Sequence, residues 1–185
     1  MIDEIQEDAR ERMVKTIDAF KSTLARIRTG RANPALLDGL SIEYYGTPTP
    51  ISQIAGVTVE EGRTLLIQPW EKNLIPEVEK AILKSDLGLT PSSSADNVRL
   101  PMPPLTEENR KNLTKQARAE AESSRIAIRN IRREANADIR ELVKEKEATE
   151  DDGRRAEDQI QKITDALISD VDSILAQKES DLMEI

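Results

Sequence analysis

The chain has 185 residues, with 27 Lys and Arg against 35 Asp and Glu and a formal net charge of -8. One or two domains with an apolar core fit that length, whereas the absence of Cys and His excludes a disulfide framework and a thiolate or imidazole metal site. Only four aromatic residues are present, too few for a run of rings that stacks on bases, and no run of about 18 apolar residues exists to span a membrane.

Ile5, Ala9, Met13, Ile17, Phe20, Leu24 and Ile27 recur at steps of three and four, which predicts a first helix from about Asp3 to Thr29 with one buried stripe. Arg26 and Arg28 suit the negative end of its dipole, and Gly30 suits a left-handed stop. The start Met1-Ile2-Asp3-Glu4 is polar, without the apolar region of a signal peptide, so a soluble cytoplasmic protein is expected.

From Arg31 to Pro104 the helical period breaks and prolines and glycines crowd in. Ser41-Tyr45, Gly56-Val59, Thr64-Gln68 and Asn97-Leu100 read as strands. Between them Asn73 reads as the cap of a short helix with Pro76 in its first turn, Val78, Ile82 and Leu83 facing inward, and a stop near Gly88. Tyr44, Tyr45 and Trp70 are taken as core or edge packing in so small a unit.

The helical period returns after Pro101-Met102-Pro103-Pro104. Thr106 can cap a second long helix reaching about Lys146, and Thr149 with Asp152 resembles a capping box. Ile160, Ile163, Leu167, Val171, Ile174 and Leu182 then give a third helix its stripe. The expected fold class is α+β: a long antiparallel three-helix bundle of residues 1–30 and 105–185, with a small β/α/β domain of residues 31–104 inserted. Two strands of chain connect them, near 29–32 and 101–105. Gly30 permits rotation there, while Pro101, Pro103 and Pro104 stiffen the second crossing, so Gly30, Arg31 and Pro101 to Leu105 are candidate hinge residues.

The second long helix carries the most informative pattern. Between Arg110 and Arg133 eight basic residues stand against two acidic ones, a local charge of +6, so the rest of the chain sums to -14. At about 100° per residue, Lys111, Lys115, Arg118, Arg125, Arg129, Arg132 and Arg133 share one arc about 100° wide, which Arg140 extends and Arg110 borders. Leu113, Ala117, Ala121, Ile128, Ile131, Ala135, Ile139 and Leu142 make a core arc, and Glu120, Glu134, Asp138, Glu141 and Glu145 a third. Around Arg125, Arg129, Arg132 and Arg133 no acid but Glu122 shares the basic arc, so the positive field reads as unneutralised within the helix. Arginine outnumbers lysine along it, and the guanidinium fork matches phosphate. RNA is the partner that fits, with contact through an oriented patch because the acidic total repels free nucleic acid.

Catalytic chemistry finds no support: there is no His base, no Cys nucleophile and no glycine-rich phosphate loop, so no enzyme, cofactor or metal is expected. Glu150-Asp151-Asp152 reads as dipole partners at a helix start rather than a cation site. Two other readings stay open on the residues alone: a non-catalytic helical adaptor whose stripe meets an acidic protein, and a stand-alone RNA-binding chaperone.

Ile27-Arg28-Thr29-Gly30-Arg31-Ala32, Glu43-Tyr44-Tyr45-Gly46-Thr47-Pro48-Thr49-Pro50, and Val57-Thr58-Val59-Glu60 with Arg63-Thr64-Leu65 occur in that order. Lys80-Ala81-Ile82, Ser85-Asp86-Leu87-Gly88-Leu89, Pro103-Pro104-Leu105-Thr106-Glu107-Glu108, Ala127-Ile128-Arg129-Asn130-Ile131-Arg132-Arg133, and Lys178-Glu179 with Leu182-Met183 follow. Together they resemble the signatures of the bacterial ribosome recycling factor family over essentially the whole chain. The resemblance implies an L-shaped, tRNA-sized monomer that mimics tRNA and binds the post-termination ribosome. It implies action with elongation factor G, whose GTP hydrolysis drives splitting into subunits, and no contact with DNA or membrane. It further implies that the bundle lies on large-subunit ribosomal RNA near the intersubunit bridges. Carried over here, that nominates Arg110, Arg129, Arg132 and Arg133, with Arg28, Arg31, Lys111, Lys115, Arg118 and Arg125 as further candidates. Two departures stand out: Pro69-Trp70-Glu71-Lys72-Asn73, and Gly153, expected to weaken the start of the third helix by about 0.5 to 1 kcal/mol relative to Ala.

Overall fold

A computed structural model describes residues 1–184; Ile185 lies outside the described residues. The long helices are α1 (Ile2–Arg26), α4 (Glu107–Lys144) and α5 (Glu150–Met183). Between α1 and α4 lie β1 (Ser41–Tyr44), β2 (Thr47–Pro50), α2 (Ile51–Ile54), β3 (Ala55–Glu60), β4 (Thr64–Pro69), α3 (Ile75–Lys84), β5 (Ser92–Ser93) and β6 (Val98–Pro101). Two 3-10 turns, Pro34–Leu37 and Lys72–Leu74, complete the chain. It forms two compact units: Met1–Leu24 with Thr114–Ser180, and Ala25–Leu113 with the stretch from Asp181 onward. The fold is the expected α+β combination of long helices and a small inserted sheet unit.

In the helical unit, Gln6 donates to the side chain of Gln159 at 2.9 Å and Met13 lies beside Thr164, so α1 and α5 run in the same sense. Arg118 reaches Glu179 and Arg140 reaches Glu157, so α4 runs antiparallel to α5. Met13, Ile17 and Phe20 of α1 are buried, as are Ile128, Ile131 and Ile139 of α4 and Ile160 and Val171 of α5. Ala117, Ala121 and Ala135 lie between the large residues of α4, and these small side chains let the neighbouring backbones come near. Thr164, the buried polar residue, donates its hydroxyl to the Ile160 carbonyl at 2.8 Å and so leaves no unsatisfied group.

Helix starts follow the sequence signals. Thr106 accepts from the Asn109 amide at 3.1 Å. Thr149 accepts from the Asp152 amide at 3.1 Å and donates to its carboxylate at 2.7 Å, a reciprocal cap. The sequence reading of Gly153 is corrected. It is buried, and a Cβ there would sit 2.7 Å from Cγ2 of Val143 and 3.7 Å from Cγ2 of Ile139. Glycine is therefore what allows α5 to close on α4, rather than a weakness of the helix.

The sheet unit has an antiparallel β1-β2 hairpin and a four-stranded antiparallel sheet in the order β3-β4-β6-β5. Tyr45 and Gly46 connect the hairpin with φ of 49° and 80°, the pair of positive values that a two-residue turn matching strand twist requires. Leu65, Ile67, Val98 and Leu100 of the sheet, Val78 and Ile82 of α3, and Leu36, Ile42 and Ile51 share one core.

Several expectations change here. Helix α1 ends at Arg26 rather than Thr29, and Gly30 is not among the left-handed residues, so the stop is not a glycine cap. Asn73 lies inside a 3-10 turn and Leu74 takes the cap position without a side-chain bond. Leu83 is 58 % exposed, because α3 has its inward stripe at Ile75, Val78 and Ile82 only. The helix stops at Ser85, whose hydroxyl donates to the Ile82 carbonyl at 2.6 Å, three residues before Gly88. Trp70 is 71 % exposed rather than packed; Tyr45 is 83 % exposed yet sets its ring edge-on to that of Tyr44 with centroids 4.5 Å apart, and Tyr44 is half-buried, with its hydroxyl donating to Glu71 at 3.0 Å. That bond pushes the Tyr44 phenol above its ordinary range. Strand β2 was hidden in Thr47-Pro48-Thr49-Pro50, since proline is tolerated where a strand has an unpaired side.

Gly153→Ala should lower thermal stability, because overpacking costs about 1 to 3 kcal/mol against a helix-propensity gain of about 0.5 to 1 kcal/mol. Calorimetry of Gly153→Ala, Val143→Ala and the double variant checks this: the second substitution should relieve part of the first. Additive losses would place the strain elsewhere.

Candidate nucleic-acid interface

Helix α4 separates its basic arc into two rows. The row next to the core, Arg118, Arg125, Arg132 and Arg140, leans on α5. Arg118 reaches Glu179 at 2.5 Å, Arg125 reaches Asp172 at 2.6 Å and Arg140 reaches Glu157 at 2.7 Å. Arg125, with a side chain only 19 % exposed, also meets Glu122 at 3.1 Å. Hydrogen bonds donated to Glu179 and Asp172 push the Arg118 and Arg125 guanidiniums further above their ordinary values. Both are protonated throughout the physiological range in any case, so these carboxylates neutralise charge without titrating it. Arg132 differs. Its Nη1 donates to the amide oxygen of Gln161 at 3.1 Å, and among the described residues no carboxylate pairs with it.

The outer row follows at steps of seven, four, three and four: Lys115, Glu122, Ile126, Arg129 and Arg133. Lys115 has no ion pair among the described residues, and Arg133 reaches only the Asn130 side chain at 3.4 Å. Arg129 stands 3.7 Å from Glu122, which Arg125 also engages more closely. Ile126 is 49 % exposed in the middle of this row. The residues with charge left over are therefore Lys115, Arg129, Arg132 and Arg133.

Within α4 only Glu122 meets these arginines, as expected, but the stripe is partly neutralised from the neighbouring helix. Helix α4 alone has few acids on that arc, but α5 supplies them from Glu157, Asp172 and Glu179. The sequence signal was present, since Glu157, Gln161, Asp165, Asp172 and Glu179 recur at steps of four and seven. Gln161 belongs to that row and was missed as well.

The remaining candidates lie in the sheet unit. Lys111 pairs with Glu107 at 3.3 Å. Arg110 is half-buried, with Nη1 donating to the Met183 carbonyl at 3.3 Å and a buried Nε without a partner. Arg31 pairs with Glu184 at 2.6 Å, and Arg28 donates to the Pro103 carbonyl at 3.3 Å. Within the sheet unit, the segments near 29–32 and 101–105 both fasten to the β3-β4 turn: the Ala32 amide donates to the Gly62 carbonyl at 2.9 Å and the Met102 amide to the Arg63 carbonyl at 2.7 Å. Pro101 ends β6 opposite Thr64, Leu105 is buried, Pro103 and Pro104 are exposed, and a Cβ on Gly30 would meet nothing within 4 Å. Among the described residues no group of three His, Cys, Asp or Glu could hold a metal ion, and no helix is long and apolar enough to cross a membrane.

A sequence profile of the ribosome recycling factor family matches residues 20–183. The chain belongs to that family. A ribosome-recycling factor of Marinomonas sp. is 57 % identical over 185 residues, covering 100 % of both chains. One from Legionella pneumophila (strain Paris) is likewise 57 % identical over 185 residues and covers 100 % of both. Among solved structures, a solution structure of a ribosome recycling factor superposes with a TM-score of 0.82 at 35 % identity, covering 100 % of this chain and 98 % of that one. The T. thermophilus factor, in models with E. coli elongation factor G bound to the E. coli post-termination complex, gives 0.71 at 46 % identity and covers 100 % of each chain.

The two rows should separate in mutagenesis. Arg125→Ala should cost about 1 kcal/mol of stability, the upper end for an ion pair of this kind, while Arg133→Ala should stay within about 0.5 kcal/mol. Denaturant melts of the two variants measure the difference, and a larger loss at Arg133 would contradict this division of the arc.

Proposed function

We propose that this chain acts as a translation factor of the cytoplasm that binds the post-termination ribosome and, with elongation factor G, splits it into subunits. Elongation factor G hydrolyses the GTP, and this chain performs no covalent chemistry. The observation that carries the reading is the outer row of α4, whose basic charge is left over after α5 has taken its share, on a chain of this family. Arg129, Arg132 and Arg133 with Lys115 anchor large-subunit ribosomal RNA near the intersubunit bridges through phosphate contacts. Arg110 adds a contact from the start of α4. Arg118 and Arg125, being neutralised by α5, hold the bundle together instead, and Arg28 and Arg31 serve the crossings.

In this reading residues 1–30 and 105–185 form the rod that grips RNA, and residues 31–104 form the domain on which elongation factor G acts. Rotation occurs at the crossings, near 29–32 and 101–105. The ties of Ala32 and Met102 to the β3-β4 turn favour the chain just outside them, around Gly30 and Arg31 on one side and Pro103 to Leu105 on the other. Force applied to the smaller domain is then transmitted through a rod already fastened to RNA, and the bridges between subunits give way.

Affinity for isolated large ribosomal subunits should fall with salt, with a slope of roughly 0.7 to 0.9 per phosphate neutralised. An Arg129→Ala, Arg132→Ala double variant should lose most of that affinity with unchanged helicity. No binding by the natural chain at low salt would overturn the reading in favour of a helical adaptor, and equally tight binding to naked RNA would favour an RNA chaperone. The hinge has its own check: since the chain has no Cys, an introduced cysteine pair can cross-link the two domains. The cross-linked factor should still bind but fail to split ribosomes with elongation factor G and GTP, and unimpaired splitting would remove the lever.

A further inference from the structure

We propose that Gln161 is a positioning residue that keeps Arg132 oriented while leaving its charge free for RNA phosphate; this rests on the reading of the site given above. Three of the four arginines that lean from α4 onto α5 meet a carboxylate, Glu179, Asp172 or Glu157. The fourth meets an amide. A carboxylate at that place would hold Arg132 equally well but cancel its charge; the amide oxygen accepts one N–H and cancels nothing. Of the five N–H donors of a guanidinium, the Gln161 bond engages one nitrogen and leaves an edge for a phosphate.

The orientation of Gln161 is itself set. Its Nε2 donates to Asp165 at 2.8 Å, one turn further along α5, which turns Oε1 toward Arg132. Asp165 thus acts at one remove: its charge fixes the amide without pairing with Arg132, since no carboxylate among the described residues does so. The relay runs Asp165, Gln161, Arg132, with the guanidinium as its outer member. Arg132 is consequently held like the ladder arginines, so little side-chain freedom is lost when it binds, yet it is charged like the outer row.

Gln161→Glu tests this with no change of volume. The new carboxylate would pair with Arg132, and the like-charge neighbour Asp165 at i,i+4 would offset part of that gain, so melting should scarcely move. Binding to large ribosomal subunits should weaken by about fivefold at about 0.1 M salt, and the salt slope should fall by about one phosphate contact. Gln161→Met, which removes the tether but not the charge, should weaken binding less and keep the slope. In an Arg132→Ala background Gln161→Glu should have little further effect. If Arg132→Ala lowers affinity and slope but Gln161→Glu changes neither, the role of Gln161 is refuted while the reading of the site stands. An equal loss from Gln161→Glu in the Arg132→Ala background would make the effect general repulsion and also refute it. If Arg132→Ala alone changes nothing, the reading of the site fails and this role fails with it.

Discussion

The narrow seam between α4 and α5 decides what the rest of the helical unit can do. Gly153 lets α5 close against Val143 and Ile139, and Ala117, Ala121 and Ala135 keep α4 slim along its buried face. Where two antiparallel helices pack side by side, charged side chains flanking the seam meet across it whether or not they also serve a ligand. Each such pair contributes only about 0 to 1 kcal/mol, so the ladder is a minor source of stability. Its larger effect is on the distribution of charge. Beside the seam Arg118, Arg125 and Arg140 are consumed while Arg132 is not, and the basic residues one step further round the helix meet no carboxylate of α5 among the described residues.

The same geometry explains which parts were legible in the sequence. The apolar stripes, the threonine caps and the basic arc are properties of single helices, and a period of 3.6 residues exposes them directly. Neutralisation by Glu157, Asp172 and Glu179 is a property of two helices together, and their partners lie 17, 47 and 61 residues away. A one-helix reading therefore overcounts the free charge. Gly153 was misread for a related reason, because propensity scales describe a solvated helix and omit what stands 2.7 Å away. In the sheet unit, Trp70 and Tyr45 were assigned to a core that Leu, Ile and Val fill without them. Asn73 and Leu83 failed as well, because a 3-10 turn precedes α3 and shifts its inward stripe.

The β3-β4 turn has an importance that its composition does not advertise. Gly62 and Arg63 offer successive carbonyls to Ala32 and Met102, so one tight turn secures the chain both where it enters the strands and where it leaves them. Arg28 adds a bond to the Pro103 carbonyl, linking the first crossing to the second. Chain fastened this way is restricted: the two strands of chain cannot move independently without breaking main-chain bonds. Under the proposed function such restriction is useful, since a lever transmits force only if its fulcrum resists stray motion.

An acidic chain that binds a polyanion faces long-range repulsion, and the placement of its acids bears on how that is managed. Glu157, Asp172 and Glu179 of α5 are each engaged with an arginine, so their fields close on themselves within a few ångströms and fade beyond a Debye length of about 8 Å. Under the proposed function, what an RNA surface meets at contact is Lys115, Arg129, Arg132 and Arg133, while at a distance it meets a net charge of -8. Unshaped nucleic acid, which makes few contacts at once, is repelled by the second term before it profits from the first. A rigid surface that engages the whole row together gains all four contacts in one step. The neutral rung at Gln161 fits this logic, because placing a carboxylate there would shift the balance at the place where the row is held most firmly. Under the proposed function, selectivity for a structured RNA follows from where the acids stand, and a uniformly basic chain would forfeit it.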